Sequence, residues 1–345
     1  MLSPVSASEF VVSSAVKYDQ RSLRGWLISH LLRHKMLIVL LVTGAFGNAG
    51  MAIAIPSIIG VAFNVVLQPQ PNLDTINILV LLVLVTQVTR AALMFTRNIA
   101  AEALGQYMER DVREELYANL LGKSMTFHST QAVGEIMARA TNDVHELNLM
   151  LNPGLNMVIG SAMFVIYPLV FAPLIKPELL LTPGLFAVGY ALAVRSYASQ
   201  LRPATQRVRA RFGDMNAGLA EAIDGIETVK GASQESQEIT RFDKNATAYR
   251  DAFVSQSDIE ARFIPLLLLG IATGAAFLHA LLLFRAGQIN VGQVVTYMGY
   301  IQMFAFPVYI SQFGFTNLSL GVAASNRVRS LILIQTELDE NKHGH

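Results

Sequence analysis

Six apolar runs, at about 36–66, 77–97, 154–175, 179–196, 263–284 and 293–316, constrain this 345-residue chain more than any other feature. A hydrocarbon core about 30 Å thick takes roughly 20 apolar residues per helical crossing, and backbone polar groups in lipid must be satisfied within the segment. The runs therefore predict an all-α membrane protein with six transmembrane helices. Only 15% of the residues are charged, which excludes a water-soluble two-domain chain. Cysteine is absent, removing disulfides, thiolate metal sites and thiol catalysis. The first run follows about 35 polar or amphipathic residues, too many for the charged segment of a signal peptide.

Lys and Arg are placed unevenly. Lys17, Arg21, Arg24, Arg33 and Lys35 precede the first run, many more lie between runs two and three and between four and five, and Arg327, Arg329 and Lys342 follow the sixth. The remaining connections hold only Lys176 and Arg285. By the positive-inside rule, both termini and the two long connections are expected on the cytoplasmic side. Within residues 1–35, the stretch RSLRGWLISHLLRHK reads as an amphipathic interfacial helix, with Leu23, Trp26, Leu27 and Leu31 on one side and Arg24 and Arg33 on the other. His30 and His34 share a helical face there, and a metal pair is the competing reading.

Each long connection reads as a pair of helical legs. No proline interrupts Ile78 to Phe127, and Glu109/Arg113 and Arg110/Glu114 have i, i+4 spacing. About 50 residues at 1.5 Å each give roughly 75 Å, so about 40 Å projects beyond the bilayer. The second connection carries Met215, Leu219, Ala222, Ile226 and Val229 on one stripe. Each leg ends in a tip: FHSTQAV from Phe127, and KGASQESQEITRF over residues 230–242. Such tips suit transmission of a rigid-body motion; ordinary solvated hairpins are the bland alternative.

The segments LYANLLGKSMTFHSTQAVGEIMARATNDVHEL (116–147), EAIDGIETVKGASQESQEITRF (221–242), GQVVTYMGYIQMFAFPVYI and AASNRVRSLILI, in that order, resemble the transmembrane domain of ATP-binding-cassette (ABC) exporters. Phe127, Gly134, Arg139, Asn142, Asp143, Lys230, Phe242, Pro307 and Arg327 each match a recurring residue type, over about residues 20–335. The resemblance implies a six-helix domain over 36–325 with coupling helices near 127–133 and 232–240. Phe127, His128, Ser129, Thr130, Gln131, Ala132, Ser233, Gln234, Glu235, Ser236 and Gln237 would dock on nucleotide-binding ATPase domains. It also implies a dimer with a second copy or a related chain, and a hairpin of spans four and five that reaches the partner. The first tip, STQA, lacks the basic residues often found there. A nucleotide-binding domain is expected soon after Arg327, within a linker at 326–345, yet no GxxxxGK[ST] loop occurs. ATP and Mg are therefore expected on a partner or removed domain, with no catalytic, cofactor or metal site on this chain. Replacing Phe127 by Ala is expected to uncouple ATP hydrolysis from transport with the fold intact.

Polar groups inside spans are costly and usually face a cavity. Asn48, Asn64, Gln87, Arg90, Gln302 and Gln312 form that set, with Tyr297, Tyr300, Phe304, Phe306, Tyr309 and Phe313 around Pro307. The substrate-cavity residues selected are Asn48, Gln87, Arg90, Tyr300, Gln302, Phe306 and Tyr309. Arg90 either lines the cavity or snorkels, and the aromatics serve either packing or ligand contact. Gly44, Gly47 and Gly50, and the Gly270/Gly274 pair, read as close helix packing. His145–Glu146 lacks a HExxH continuation. The leading function is the permease subunit of an ATP-driven exporter for an amphipathic small molecule, in a prokaryotic cytoplasmic membrane, with no nucleic-acid partner. A regulator or scaffold on the same fold and a proton-coupled transporter compete, and the absence of Asp and Glu from every span weighs against the last.

Overall fold

The computed structural model describes residues 18–334, except the side chains of 312, 313 and 315, and these residues are helical without a strand. In chain order the helices are α1 (Leu23–Arg33), α2 (Lys35–Val66), α3 (Leu73–Leu121), α4 (Met125–Thr130), α5 (Val133–Ala138), α6 (Val144–Leu149), α7 (Asn156–Ile175), α8 (Leu181–Asp224), α9 (Ile226–Gly231), α10 (Glu235–Ala261), α11 (Ile264–Arg285), α12 (Val291–Gln302) and α13 (Ala305–Leu333). Six helical stretches are long and apolar enough to cross a membrane, as the sequence predicts. The chain divides into two compact units, one of Met1–Pro177 with Ala280–His345 and one of Glu178–His279.

In the first unit, helix starts follow their caps. Ser22, Asn72 and Ser124 each accept a hydrogen bond from the backbone N–H three residues on, and Asn290 with Gln293 forms a capping box at α12. As expected, α3 is one unbroken leg of 49 residues, about 73 Å long. Two π-type turns, Arg139–Asp143 and Met150–Leu155, adjust the return leg before α7. Met303 and Phe304 separate α12 from α13, so Pro307 falls in the first turn of a new helix, where its missing N–H costs little.

Close backbone approach locks α12 to α2. A Cβ on Gly292 would lie 2.0 Å from the Gly60 oxygen, so only glycine fits there. One turn on, Thr296 Oγ1 donates to the Pro56 carbonyl at 3.2 Å, and Tyr300 shares a 2.7 Å hydrogen bond with Ser57 Oγ. Asn64 Oδ1 accepts from the Gly292 N–H at 2.9 Å. Gly44 and Gly47 pack against α3 at Arg97 and Leu93, consistent with the helix-packing reading.

The extramembrane part of this unit has its own core: Trp26, Leu104, Met108, Val112, Leu116, Phe127, Val144, Leu147, Val328 and Leu331 are buried in one cluster. Helix α1 keeps the two faces expected of it, with Leu23, Leu27 and Leu31 packed beside buried Trp26 and with Arg24 and Arg33 exposed. Trp26 and His30 both turn inward onto α3, while Ile28 and Leu32 form the exposed apolar strip. Glu115 accepts hydrogen bonds from Trp26 Nε1 (2.8 Å) and Gln20 Nε2 (2.9 Å), and His30 Nε2 lies 2.9 Å from it. His34 meets Asp111 at 2.8 Å. The two histidines therefore tie α1 to separate carboxylates on α3.

In the second unit, α8 and α10 run side by side as a hairpin closed by α9. Arg241 bridges them near the tip through Glu221, at 2.7 Å. No residue of α10 is buried. Among the described residues the expected GxxxG contact is not made: nothing lies within 4 Å of a Cβ built on Gly270 or Gly274.

Candidate coupling tips and intramembrane polar cluster

The first tip is a single helical turn and a half, α4, started by Ser124, whose Oγ accepts from the Phe127 N–H at 3.3 Å. Phe127 is only 5% exposed and belongs to the same buried cluster as Leu116, Leu331 and Ile332. This corrects the expectation that Phe127 is presented to a partner: it anchors the tip from beneath. His128, Ser129, Thr130 and Ala132 are exposed, and Gln131 is half-buried. Met125 and Val133 add exposed apolar side chains at either end.

Lys123 fixes the tip to the end of α13. Its Nζ donates to the Ile332 carbonyl at 3.0 Å and to that of Ile334, and burial pushes its pKa down. Arg327 of α13 holds Asp143 in a two-pronged pair, Nε to Oδ2 at 2.9 Å and Nη2 to Oδ1 at 2.6 Å. Hydrogen bonding to Asp143 raises the Arg327 pKa. Arg139 donates to Glu135 and to the Arg327 carbonyl. Arg139 and Asp143 thus form one junction beside the tip with Arg327, 184 positions after Asp143.

The second tip differs from its expected form. Residues 232–240 do not make a separate short helix; the short helix is α9, and Glu235 already begins the 27-residue α10. The turn is a Schellman closure: the Gln234 N–H donates to the Val229 carbonyl at 2.9 Å and the Ser233 N–H to that of Lys230 at 3.1 Å. The left-handed residue is Ser233, with φ 53°, not Gly231. Ser233, Gln234, Glu235, Ser236 and Gln237 are all exposed. Beside them Leu219, Ile223, Ile226, Ile239 and Phe242 leave apolar surface open at the hairpin end, Ile239 being 69% exposed. Periodicity alone could not reveal this patch, because Leu219 and Ile226 lie on the stripe expected to pack between the legs and Ile223, Ile239 and Phe242 lie off it.

The residues selected for a cavity do not form one wall. Tyr300 is buried in the α12–α2 lock, and Phe306 packs against Phe164 with ring centroids 5.1 Å apart. Tyr300 is thereby corrected to a packing residue. Gln87, Gln302 and Tyr309 are exposed. Asn48 is buried and accepts from Arg90 Nε at 3.4 Å, the one selected pair brought together. Gln312 and Phe313 lie outside the described side chains. Sequence reasoning passed over Arg97, at the very end of the second run, which is buried. An arginine placed at mid-bilayer costs about 2.5–3.5 kcal/mol on insertion scales, so a buried one near a span end is a signal that could have been followed.

Each unit carries helices long and apolar enough to cross a membrane and a polar tip that ends in a compact turn. The ABC transporter transmembrane region family matches residues 37–308, and the chain belongs to that family. It is 24% identical to the probable multidrug resistance ABC transporter ATP-binding/permease protein YheI of Bacillus subtilis, over 68% of this chain and 41% of that protein. It is 22% identical to the ABC transporter ATP-binding protein YfiC of Bacillus subtilis, over 99% of this chain and 56% of that one. With the multidrug resistance-like ATP-binding protein MdlA of Buchnera aphidicola it shares 21% identity, over 93% of this chain and 55% of that protein. The chain thus spans about half the length of these relatives or less.

Proposed function

We propose that this chain is the permease part of an ATP-driven exporter, in which ATPase domains, joined to it or on a separate polypeptide, drive the two tips. One observation carries the reading. The first tip is keyed by Lys123, Phe127 and the Asp143–Arg327 pair to the end of α13, so a push on the tip moves that helix as part of the same body. The exposed apolar patch of Ile226, Ile239 and Phe242 at the second tip supports a docking role, since contiguous apolar surface outside the membrane marks a contact site. In this reading the chain does no chemistry: ATP and Mg are held by the ATPase domains, and the bundle pairs with a second copy or a related chain. Closure and parting of the ATPase domains alternate the access of a cavity to the two sides of a bacterial cytoplasmic membrane. The tips and both termini face the cytoplasm, by the Lys and Arg distribution.

The test is purification of the full native polypeptide in mild detergent, mass spectrometry of what accompanies it, and ATPase assay. Recovery of ATPase activity that falls at least ten-fold when Ile239 is replaced by Asp supports the assignment. A pure dimer without any ATPase domain, from the full native polypeptide, rejects it.

A further inference from the structure

Arg97 lies about 28 Å along α3 from Ile78, where the apolar run ends. It is 6% exposed, yet its guanidinium is poorly satisfied. Among the described residues its only hydrogen bond runs from Nη2 to Asn98 Oδ1 at 3.4 Å, and its buried Nε has no partner. No span contains Asp or Glu to neutralise it. Buried charges in proteins are ordinarily paired, and among the described residues no carboxylate pairs with Arg97.

The surroundings are shaped to admit the side chain. A Cβ on Gly44 of α2 would lie 2.8 Å from the Arg97 Cβ, and one on Gly160 of α7 would lie 2.8 Å from Arg97 Nη1. Gly160 thus leaves room for the guanidinium, while Gly44 lets α2 approach the α3 backbone at Arg97. Asn156, also buried, donates to the same Asn98 Oδ1 at 3.4 Å and leaves its own Oδ1 without a partner. The cluster holds unused guanidinium donors and one unused acceptor near the end of the apolar run.

We infer that Arg97, Asn98 and Asn156 bind the anionic head group, phosphate or carboxylate, of an amphipathic molecule at the level of the leaflet head groups. The guanidinium supplies charge and fork geometry, and the Asn156 oxygen accepts from a hydroxyl of the same head group. The inference names a substrate class for the transporter reading, and rests on that reading only for the claim that the occupant is moved.

The full chain in discs of phosphatidylcholine, which has no net charge, is titrated with dodecyl phosphate, with dodecyl maltoside as the neutral control, and bound amphiphile is counted by native mass spectrometry. One saturable dodecyl phosphate per chain is expected, weakened at least ten-fold by R97Q and retained in part by R97K. G160A tests the same point without altering charge, because its methyl displaces the guanidinium; the same ten-fold loss is expected, and it carries the test if R97Q does not fold. Equal binding by wild type and the folded variants overturns the inference, as does equal binding of the maltoside. Phosphatidylglycerol added to the discs separates the sources: displacement of dodecyl phosphate makes the occupant a bilayer lipid, and persistence makes it a cargo. Neither ATP nor an ATPase enters the assay, so failure here leaves the transporter reading standing, and failure of that reading leaves the anion site standing.

Discussion

The two tips sit at the ends of comparable legs, yet they are built by opposite means. The first is pinned from inside: Phe127 is sunk into a core shared with α13, and Lys123 and the Asp143–Arg327 pair hold the same junction. The second is held by its own backbone, through a Schellman turn at the end of a hairpin with no buried residue in α10. A pinned tip transmits displacement to what it is packed on, whereas a hairpin tip offers surface. Under the proposed function, the contrast would separate a part that conveys force from a part that is gripped.

The largest test of that contrast is F127A against I239A. Emptying the buried ring site is expected to cost about 3 kcal/mol, seen as a fall in the Tm of the first unit and faster amide exchange over residues 122–134. I239A, at an exposed site, is expected to shift stability by less than about 0.5 kcal/mol. Equal effects would erase the distinction. This also revises the sequence-based expectation that F127A spares the fold, since only a side chain facing a partner can be removed that cheaply.

Acid should discriminate the two regions next. Burial alone would raise the Asp111 pKa, but hydrogen bonds from His34 and Arg110 and the Arg33 charge hold it below the ordinary aspartate value. Glu109 is likewise held down, against burial, by hydrogen bonds from Asn148 and Arg113 and one with His145. Carboxylates held below their unfolded values contribute stability that is fully present above those values and lost as pH falls through the folded ones. Acidification below the ordinary carboxylate range should therefore free α1 from α3 and speed exchange over residues 18–34 and 102–116, with residues 210–250 little affected. D111N should flatten that dependence; an unchanged profile would show that Asp111 does not hold the elbow.

Much of the architecture was legible because lipid leaves so few choices. Span two predicted an unbroken α3, while the short helix of the first tip, expected near 127–133, covers Met125–Thr130. What escaped the reading depends on tertiary direction. Period and polarity put Trp26 on an apolar face without saying that the face would meet Glu115. They marked Phe127 as a tip residue without its inward orientation. The segment 230–242 did not show that the left-handed position falls on Ser233, because helix closure is decided by which N–H reaches which carbonyl. Tyr300 looked like cavity lining until Ser57, 243 positions earlier in the chain, proved to be its partner.

A smaller effect is expected from the junction beside the first tip. Arg327 is half-exposed, so water screens its pairing with Asp143 despite the good geometry. R327A should cost about 1 kcal/mol, and a double-mutant cycle with D143A should show most of that as coupling. Additive effects would mean that packing of α13, not the ion pair, holds the junction.

The smallest test reaches the second tip through its backbone alone. Ser233 occupies the left-handed position at φ 53°, where a Cβ is unfavourable and glycine is usual. S233G relieves that strain but adds freedom to the unfolded chain, so the net gain should be about 0.5 kcal/mol. It should appear as slower exchange of the Gln234 amide, whose hydrogen bond to Val229 closes the turn. Because Ser233 is exposed and its contribution here is conformational, the substitution stiffens the tip while leaving Ile226, Ile239 and Phe242 in place. If the hairpin end is only gripped, ATPase coupling should survive S233G unchanged. If coupling instead falls as the turn stiffens, the second tip must flex during the cycle, and the division between a force-bearing tip and a surface-bearing one would have to be redrawn.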